Sequence, residues 1–335
     1  RTPESIEAAW KYFILCSVGI AQALFGTILL YFAAEKVLGS GGNALQWTVL
    51  NEVKPLLEPT VMSLAFVFLL VGYGTKVGLV PLHNWLPDAH AEGPTPISAV
   101  LSGLLLNVAL YAVVRSKVLV DGALQSRFSG DLMMGFGLLS VVVAALFLSR
   151  QRDIKRMFAY SSIEHMGIVT FAFGMGGPVA AFAGLLHMTV HSLTKSAIFF
   201  TVGHAAQKTG TQNMADIRGL TERNPTIGWG LALGTLAILG VPPFGVFASE
   251  FMILTTAMHQ HAWATPFLLF ALAVAFAAVF SKLQPMVFGE SNAQRLPHQP
   301  ALLPVFVHLL LVLMLGLYIP PYLEQWYRQA AALIG

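Results

Sequence analysis

Charge is scarce in this chain. Asp, Glu, Lys and Arg make up 10% of its 335 residues, against roughly 25% in a soluble globular domain. Hydrophobic residues make up 56%, and the mean hydropathy is +0.69. An ordinary soluble fold is excluded, because apolar stretches about 20 residues long recur along the whole chain. Cysteine is nearly missing too. Cys16 is the one thiol and lies inside an apolar run, which rules out a disulfide framework and a cysteine-ligated metal or cluster. Ten-residue alternating strand patterns are absent, so segments inside lipid are expected to be helices. No flavin or nucleotide motif occurs, and the net charge of +3, spread over loops, points to no nucleic acid.

What is present reads as an all-α polytopic membrane protein. Nine spans are expected, at about 9–33, 61–82, 97–119, 130–149, 155–175, 178–206, 227–258 (broken), 263–288 and 301–320. The connections are short, so one compact membrane domain over 1–335 is expected. The longest loop, 34–60, holds the amphipathic LQWTVLNEV, expected on the membrane surface. The tail after Pro320 and Pro321 carries Trp326 and Tyr327 and reads as an interfacial segment. Ten Lys and Arg fall on the side of residue 1 and six on the other. By the positive-inside rule residue 1 is cytoplasmic and the C-terminus outside. The chain opens on RTPESIEAAWKY, polar and starting with Arg, so it is expected to be a processed protein or a piece of a longer one.

Against this apolar background a few ionisable residues stand where lipid should be: Lys76, His165, His187, His191, Lys195, Glu250 and Lys282. Such groups cost several kcal/mol each and normally face a partner or a water-filled interior. His187, His191 and Lys195 are spaced i, i+4, i+8 in GLLHMTVHSLTKSAIFF, so they share one helical face, about 6 Å apart per step. Thr194 adds a hydroxyl. Groups that each take and release a proton are what a proton relay needs. The rival reading, a zinc site on the His pair, lacks the glutamate of an HExxH motif and an evident third ligand, so no metal is expected. Two stretches break the helical pattern. In LAILGVPPFGVFASEFMILTTA, Gly240, Pro242, Pro243 and Gly245 interrupt the helix shortly before Glu250. In GTKVGLVPLHNWLPDAHAEGPTP, Lys76 precedes Pro81, Pro87, Pro94 and Pro96. Irregular backbone at membrane depth is tolerated where it lines a cavity, and paired interruptions mark ion sites in inverted-repeat transporters.

Read in order, KVGLVPLHNWLPDAHAEGPTPISAVLSGLLLNVALYAVVR, RDIKRMFAYSSIEHMGIV, HMTVHSLTKSAIFFTVGH and GVPPFGVFASEFMIL resemble the proton-translocating antiporter-like subunits. That family serves respiratory complex I (NADH:quinone oxidoreductase), membrane-bound nickel–iron hydrogenases, formate hydrogenlyases and Mrp-type Na+/H+ antiporters. EGPTPISAVLSGLLLNVALYAVVR looks closest to the F-type membrane component of the energy-converting hydrogenases. The resemblance implies fourteen helices with two inverted repeats, of which this chain matches the sixth to the fourteenth. Residues 1–120 would then be the remainder of the first repeat, 130–288 the second, and 301–335 the final helix and tail. It further implies that Lys76 is the central lysine of the broken seventh helix and His165 the histidine of the tenth. His191 and Lys195 match the eleventh-helix relay, and Glu250 the broken twelfth helix, near the exit.

Two departures stand out. The eighth helix of many relatives carries Lys or His, where this chain has Asn107. Water, Ser102 or Tyr111 is expected to bridge the gap from Lys76. The fifth-helix glutamate that pairs with the central lysine has no counterpart here. The resemblance implies a proton-pumping subunit of a redox complex, with other membrane subunits as partners. It implies no catalytic centre and no cofactor in this chain, with bound lipid and ordered water around it, in a bacterial or archaeal cytoplasmic membrane. An Mrp-type antiporter subunit moving Na+, a membrane partner of an inorganic-carbon uptake system and a plain scaffold are the other readings.

Overall fold

The computed structural model describes residues 2–39, 42–290, 295–296 and 302–335. These are mainly helical, with no strand among them beyond one isolated bridge between Asp153 and Asn213. Helix α1 (Pro3–Leu38) starts on a capping box between Thr2 and Ser5. A short amphipathic helix, α2 (Trp47–Val53), lies in the long connection. The Glu58 carboxylate caps α3 (Pro59–Val77), accepting from the N–H groups of Val61 at 2.6 Å and Thr60 at 3.1 Å. Those two donors hold the carboxyl below its usual range.

The span expected at 61–82 ends early, at Val77. Gly78 takes φ +80°, a left-handed conformation that closes a helix, and Pro81 offers no N–H to continue one. The freed backbone finds other partners. The Val80 N–H donates to Ser140 Oγ at 2.9 Å, and Trp85 Nε1 donates to the Thr75 carbonyl at 2.7 Å. The chain then runs through α4 (Trp85–Glu92) into α5 (Thr95–Val100) and α6 (Leu106–Leu124). A π turn over Leu101–Leu105 joins the last two. No periodicity in the sequence announces that turn; it adds a residue to the helical repeat and rotates α6 relative to α5.

Helices α7 (Phe128–Leu148) and α8 (Ile154–Met175) pack closely, backbone to backbone. A Cβ added to Gly137 would lie 2.6 Å from the Phe171 nitrogen, which is the small-residue packing membrane helices favour. Helix α9 (Pro178–Thr209) crosses the centre of the molecule. After α10 (Leu220–Arg223), the broken helix consists of α11 (Pro225–Ile238) and α12 (Gly245–Gln260), separated where Gly240, Pro242 and Pro243 were expected to interrupt it. Next come α13 (Thr265–Phe288), α14 (Leu303–Leu317) and α15 (Pro321–Ile334). The expected start of the last span, residue 301, lies outside the described residues.

Among the described residues, five helices are long and apolar enough to cross a membrane, and six if α14 and α15, bent by 74°, count as one span. The expected nine is not reached by that criterion. The shortfall falls on α8 and α9, which carry Lys, His and Glu, and on α11 and α12, which the break leaves 14 and 16 residues long. The tail is also not simply interfacial. Trp326 is exposed, but Tyr327 is buried, donates or accepts a 2.5 Å hydrogen bond with Thr189 Oγ1 of α9, and meets the Phe182 ring edge-on. Two apolar cores result. One gathers α3, α6 and their surroundings; the other surrounds α9.

Candidate functional site

The stripe on α9 faces inward, while Met188, Thr189, Ser192 and Leu193 on the same turns are only partly buried. His187, His191, Thr194 and Lys195 are each 0% exposed. Two neighbours complete the site: His165 comes from α8, and Ser249 and Glu250 come from the first turns of α12.

His187 sits at the centre. Its Nδ1 lies 2.9 Å from Ser249 Oγ and its Nε2 lies 3.0 Å from His165 Nδ1. His165 Nδ1 is also 3.7 Å from Glu250 Oε1. The rings of His165 and His187 stack with centroids 5.2 Å apart, and His191 approaches His165 at 5.6 Å, tilted by 33°. His191 has no hydrogen-bond partner on either nitrogen. Lys195 donates from Nζ to the Phe158 carbonyl at 2.9 Å. The helix break positions Glu250. Gly240 holds φ +64°, and a Cβ there would collide with Glu250 Oε2, so only glycine lets the carboxylate lie against the turn.

One further carboxylate was not singled out in the sequence. Glu164, 3% exposed, is within electrostatic reach of both Lys195 and Glu250. It stands beside His165 in SSIEHMG, and a lone Glu in the middle of an apolar run was the signal available.

The bridging residues divide. Ser102 lies in the π turn and donates to Ser162 Oγ at 2.7 Å. Ser162 in turn donates to the Phe158 carbonyl at 3.1 Å, the same carbonyl that Lys195 uses. Asn107 donates to Ser192 Oγ at 2.6 Å and to the Met188 carbonyl at 3.2 Å, both on α9. Tyr111 is 53% exposed, hydrogen-bonds to Arg115 and lines the same cavity as Lys76. Thr194 donates back to the Val190 carbonyl of its own helix at 2.6 Å.

Lys76 and Lys282 stand apart. Lys76 donates to Tyr12 Oη at 3.1 Å and lines a cavity of about 960 Å³ between α1, α3 and α6. Lys282 does not join the cluster. Its Nζ donates to the carbonyls of Leu148, Ser149 and Gln151 at 2.6, 3.0 and 2.8 Å, capping the C-terminal end of α7, where a cation is favoured. The expectation about a metal also changes. The pair expected on one helix, His187 and His191, is not the one that converges. His165, His187 and Glu250 bring ligand atoms within 4.8 Å of one another, so a third donor exists, supplied from other helices.

Comparisons with known proteins bear on the family and the fold. The transmembrane model of the NADH:quinone oxidoreductase/Mrp antiporter family matches residues 1–281. The hydrogenase-4 component F homolog of Methylacidiphilum infernorum is 53% identical over 334 residues, covering 100% of this chain and 70% of that protein. The chain spans 40% to 54% of the length of the further curated relatives it matches. Among solved structures, a subunit of the membrane-bound sulfane sulfur reductase, an archaeal respiratory membrane complex, superimposes with a TM-score of 0.89. It is 29% identical over 100% of this chain and 67% of that one. A chain of respiratory complex I from Thermus thermophilus gives 0.76 at 27% identity, covering 95% of this chain and 68% of that one.

Proposed function

The chain belongs to the NADH:quinone oxidoreductase/Mrp antiporter transmembrane family, and on that premise we propose that it moves protons across a membrane as a pump subunit of a multi-subunit redox complex. The observation that carries this reading is the run of titratable side chains from Lys195 through His191, His165 and His187 to Glu250, buried together in an integral membrane bundle. The relatives support the setting, being named as a hydrogenase component and as parts of respiratory complexes.

In this reading Lys195 receives a proton and passes it to His191, whose free nitrogens await a donor and an acceptor. The direct His165–His187 hydrogen bond and Glu250 carry it onward, Glu250 lying at the broken helix near the exit. Ordered water fills the steps that side chains do not span. Residues 1–120 and 130–288 serve as the remainder of one inverted repeat and the whole of a second. The excess of Lys and Arg supports a cytoplasmic residue 1, in a bacterial or archaeal cytoplasmic membrane on this reading. Neighbouring membrane subunits drive the cycle, and bound lipid seals it. Protons fit better than Na+ as the transported ion. Three imidazoles dominate the site, whereas a hard cation calls for oxygen ligands.

Replacing Glu250 by Gln in the whole subunit tests this. Proton translocation into inverted vesicles is expected to fall by more than assembly of the complex falls. A Gln variant that assembles and translocates at the original rate would refute the relay.

A further inference from the structure

The groups that converge at the centre of the molecule are also a set of metal donors. Ligand atoms of His165, His187 and Glu250 lie within 4.8 Å of one another. His165 Nδ1 is 3.0 Å from His187 Nε2 and 3.7 Å from Glu250 Oε1. Nitrogen and oxygen ligands stand about 2.0–2.2 Å from zinc, so two of them in a tetrahedron are about 3.3–3.6 Å apart. The two observed separations straddle that spacing. The ligands come from three helices, α8, α9 and α12, and each backbone is held by its helix.

Ser249 decides which lone pair of His187 faces the others. Its Oγ donates to the Val246 and Gly245 carbonyls at 2.9 and 3.2 Å, and lies 2.9 Å from His187 Nδ1. A hydroxyl has one hydrogen. With that hydrogen spent on the carbonyls, the oxygen accepts from His187 Nδ1–H, and the lone pair of the ring falls on Nε2, towards His165. An imidazole fixed by a hydrogen bond from its far nitrogen is the usual environment of a metal-bound histidine. His165 Nδ1–H then donates to that lone pair while no metal competes for it. Two imidazoles and one carboxylate are the protein ligands of zinc sites that leave a fourth position to water, and nitrogen donors favour zinc over calcium or magnesium.

We propose that His165, His187 and Glu250 form a zinc site, and that Zn2+ bound there arrests proton movement through the cluster. The ion takes the lone pairs of His187 Nε2, His165 Nδ1 and one Glu250 oxygen, with water as the fourth ligand. The hydrogen on His165 Nδ1 passes to Nε2 of the same ring by way of water, and a proton held by Glu250 leaves to solvent. Glu250, at 8% the least buried of the three, is the side from which the ion enters. Once these lone pairs are committed to the metal, the His165–His187 hydrogen bond no longer exists to carry a proton. The site stands on the geometry. Its effect on transport rests on the proton-translocating reading of the cluster.

The test titrates Zn2+ into the complete complex in proteoliposomes, with the ion on both faces of the membrane. Zinc bound per assembled subunit and the translocation rate are measured together, each rate taken relative to the same complex without zinc. The unmodified complex is expected to bind one Zn2+ more than His187→Gln does, and to lose translocation as that site fills. Ser249→Ala, which removes the group orienting His187, is expected to need about 10–100-fold more Zn2+ for the same binding and inhibition. Equal binding and inhibition in the unmodified and variant complexes would overturn the site and leave the relay standing, as would no binding at all. Zinc that is lost in His187→Gln but leaves translocation of the unmodified complex untouched keeps the site and overturns the relay through it. If neither variant assembles, X-ray absorption at the zinc edge of the unmodified complex decides. Scattering from two imidazoles supports the site, and an oxygen-only or sulfur shell overturns it.

Discussion

Lys76 and Lys195 occupy equally apolar stretches of sequence, yet the two halves of the molecule treat them differently. Lys195 is completely buried, bonded to a backbone carbonyl, and joined through that carbonyl to Ser162 and Ser102. Lys76 is half-buried. Its ammonium rests 4.6 Å from the centre of the Tyr12 ring and borders an open cavity whose wall, among the described residues, carries no carboxylate. In the half around α9, helices enclose the charge and supply the groups that make it tolerable. In the half around α3 the lysine keeps access to whatever fills the cavity. An intramembrane lysine is therefore not one kind of site: its behaviour depends on how many polar partners neighbouring helices bring.

The largest expected effect tests that contrast directly. Lys195→Met should lower proton translocation at least about tenfold, and lower the melting temperature in detergent as well, because the buried Glu164 loses the cation within its reach. A Lys195→Met complex that pumps normally would erase the distinction between the two lysines. Next comes Gly240→Ala. The left-handed backbone costs a non-glycine residue about 1–2 kcal/mol, and the new methyl group displaces the Glu250 carboxylate. Lower thermal stability and lower translocation should appear together. Loss of one without the other would separate the turn from the site.

A smaller effect is expected from Ser249→Ala, which leaves His187 Nδ1 without its partner at the cost of about 1 kcal/mol. Thermal melting of the variant complex measures it. An unchanged melting temperature would mean that water replaces the hydroxyl. The smallest belongs to the contact between halves. Asp88 on α4 pairs with Lys11 of α1 at 2.8 Å and with Arg156 of α8 at 2.9 Å, all three partly exposed. Asp88→Asn should cost no more than about 1 kcal/mol, and less at high salt. A large loss of translocation without loss of stability would instead make this ion pair a coupling element between the halves.

Much of this architecture was legible in the chain. Apolar runs announced helices, and the four-residue spacing put His187, His191 and Lys195 on one inward face. Gly240, Pro242 and Pro243 broke the helix before Glu250, because a missing N–H and a left-handed turn are local facts. The early end of α3 was missed, although Gly78 and Pro81 were there to be read, because the apolar pattern runs on past them. Tyr111, expected to bridge from Lys76, lines the same cavity as that lysine and hydrogen-bonds to Arg115 on its own helix.

Sequence alone thus determined the helical character of the chain, the break between α11 and α12 and which α9 side chains share a face, since each depends on neighbours within a turn or two. Tertiary structure decided the partners. It set His165 against His187 rather than joining His187 to His191, and brought Glu164 into reach of Lys195. It spent Lys282 on the end of α7, turned Asn107 onto Ser192, and left both His90 ring nitrogens without a hydrogen-bond partner. These pairings depend on the rotation and depth of one helix against another. Side-chain packing across the whole bundle sets both, and no periodicity within a single helix encodes them.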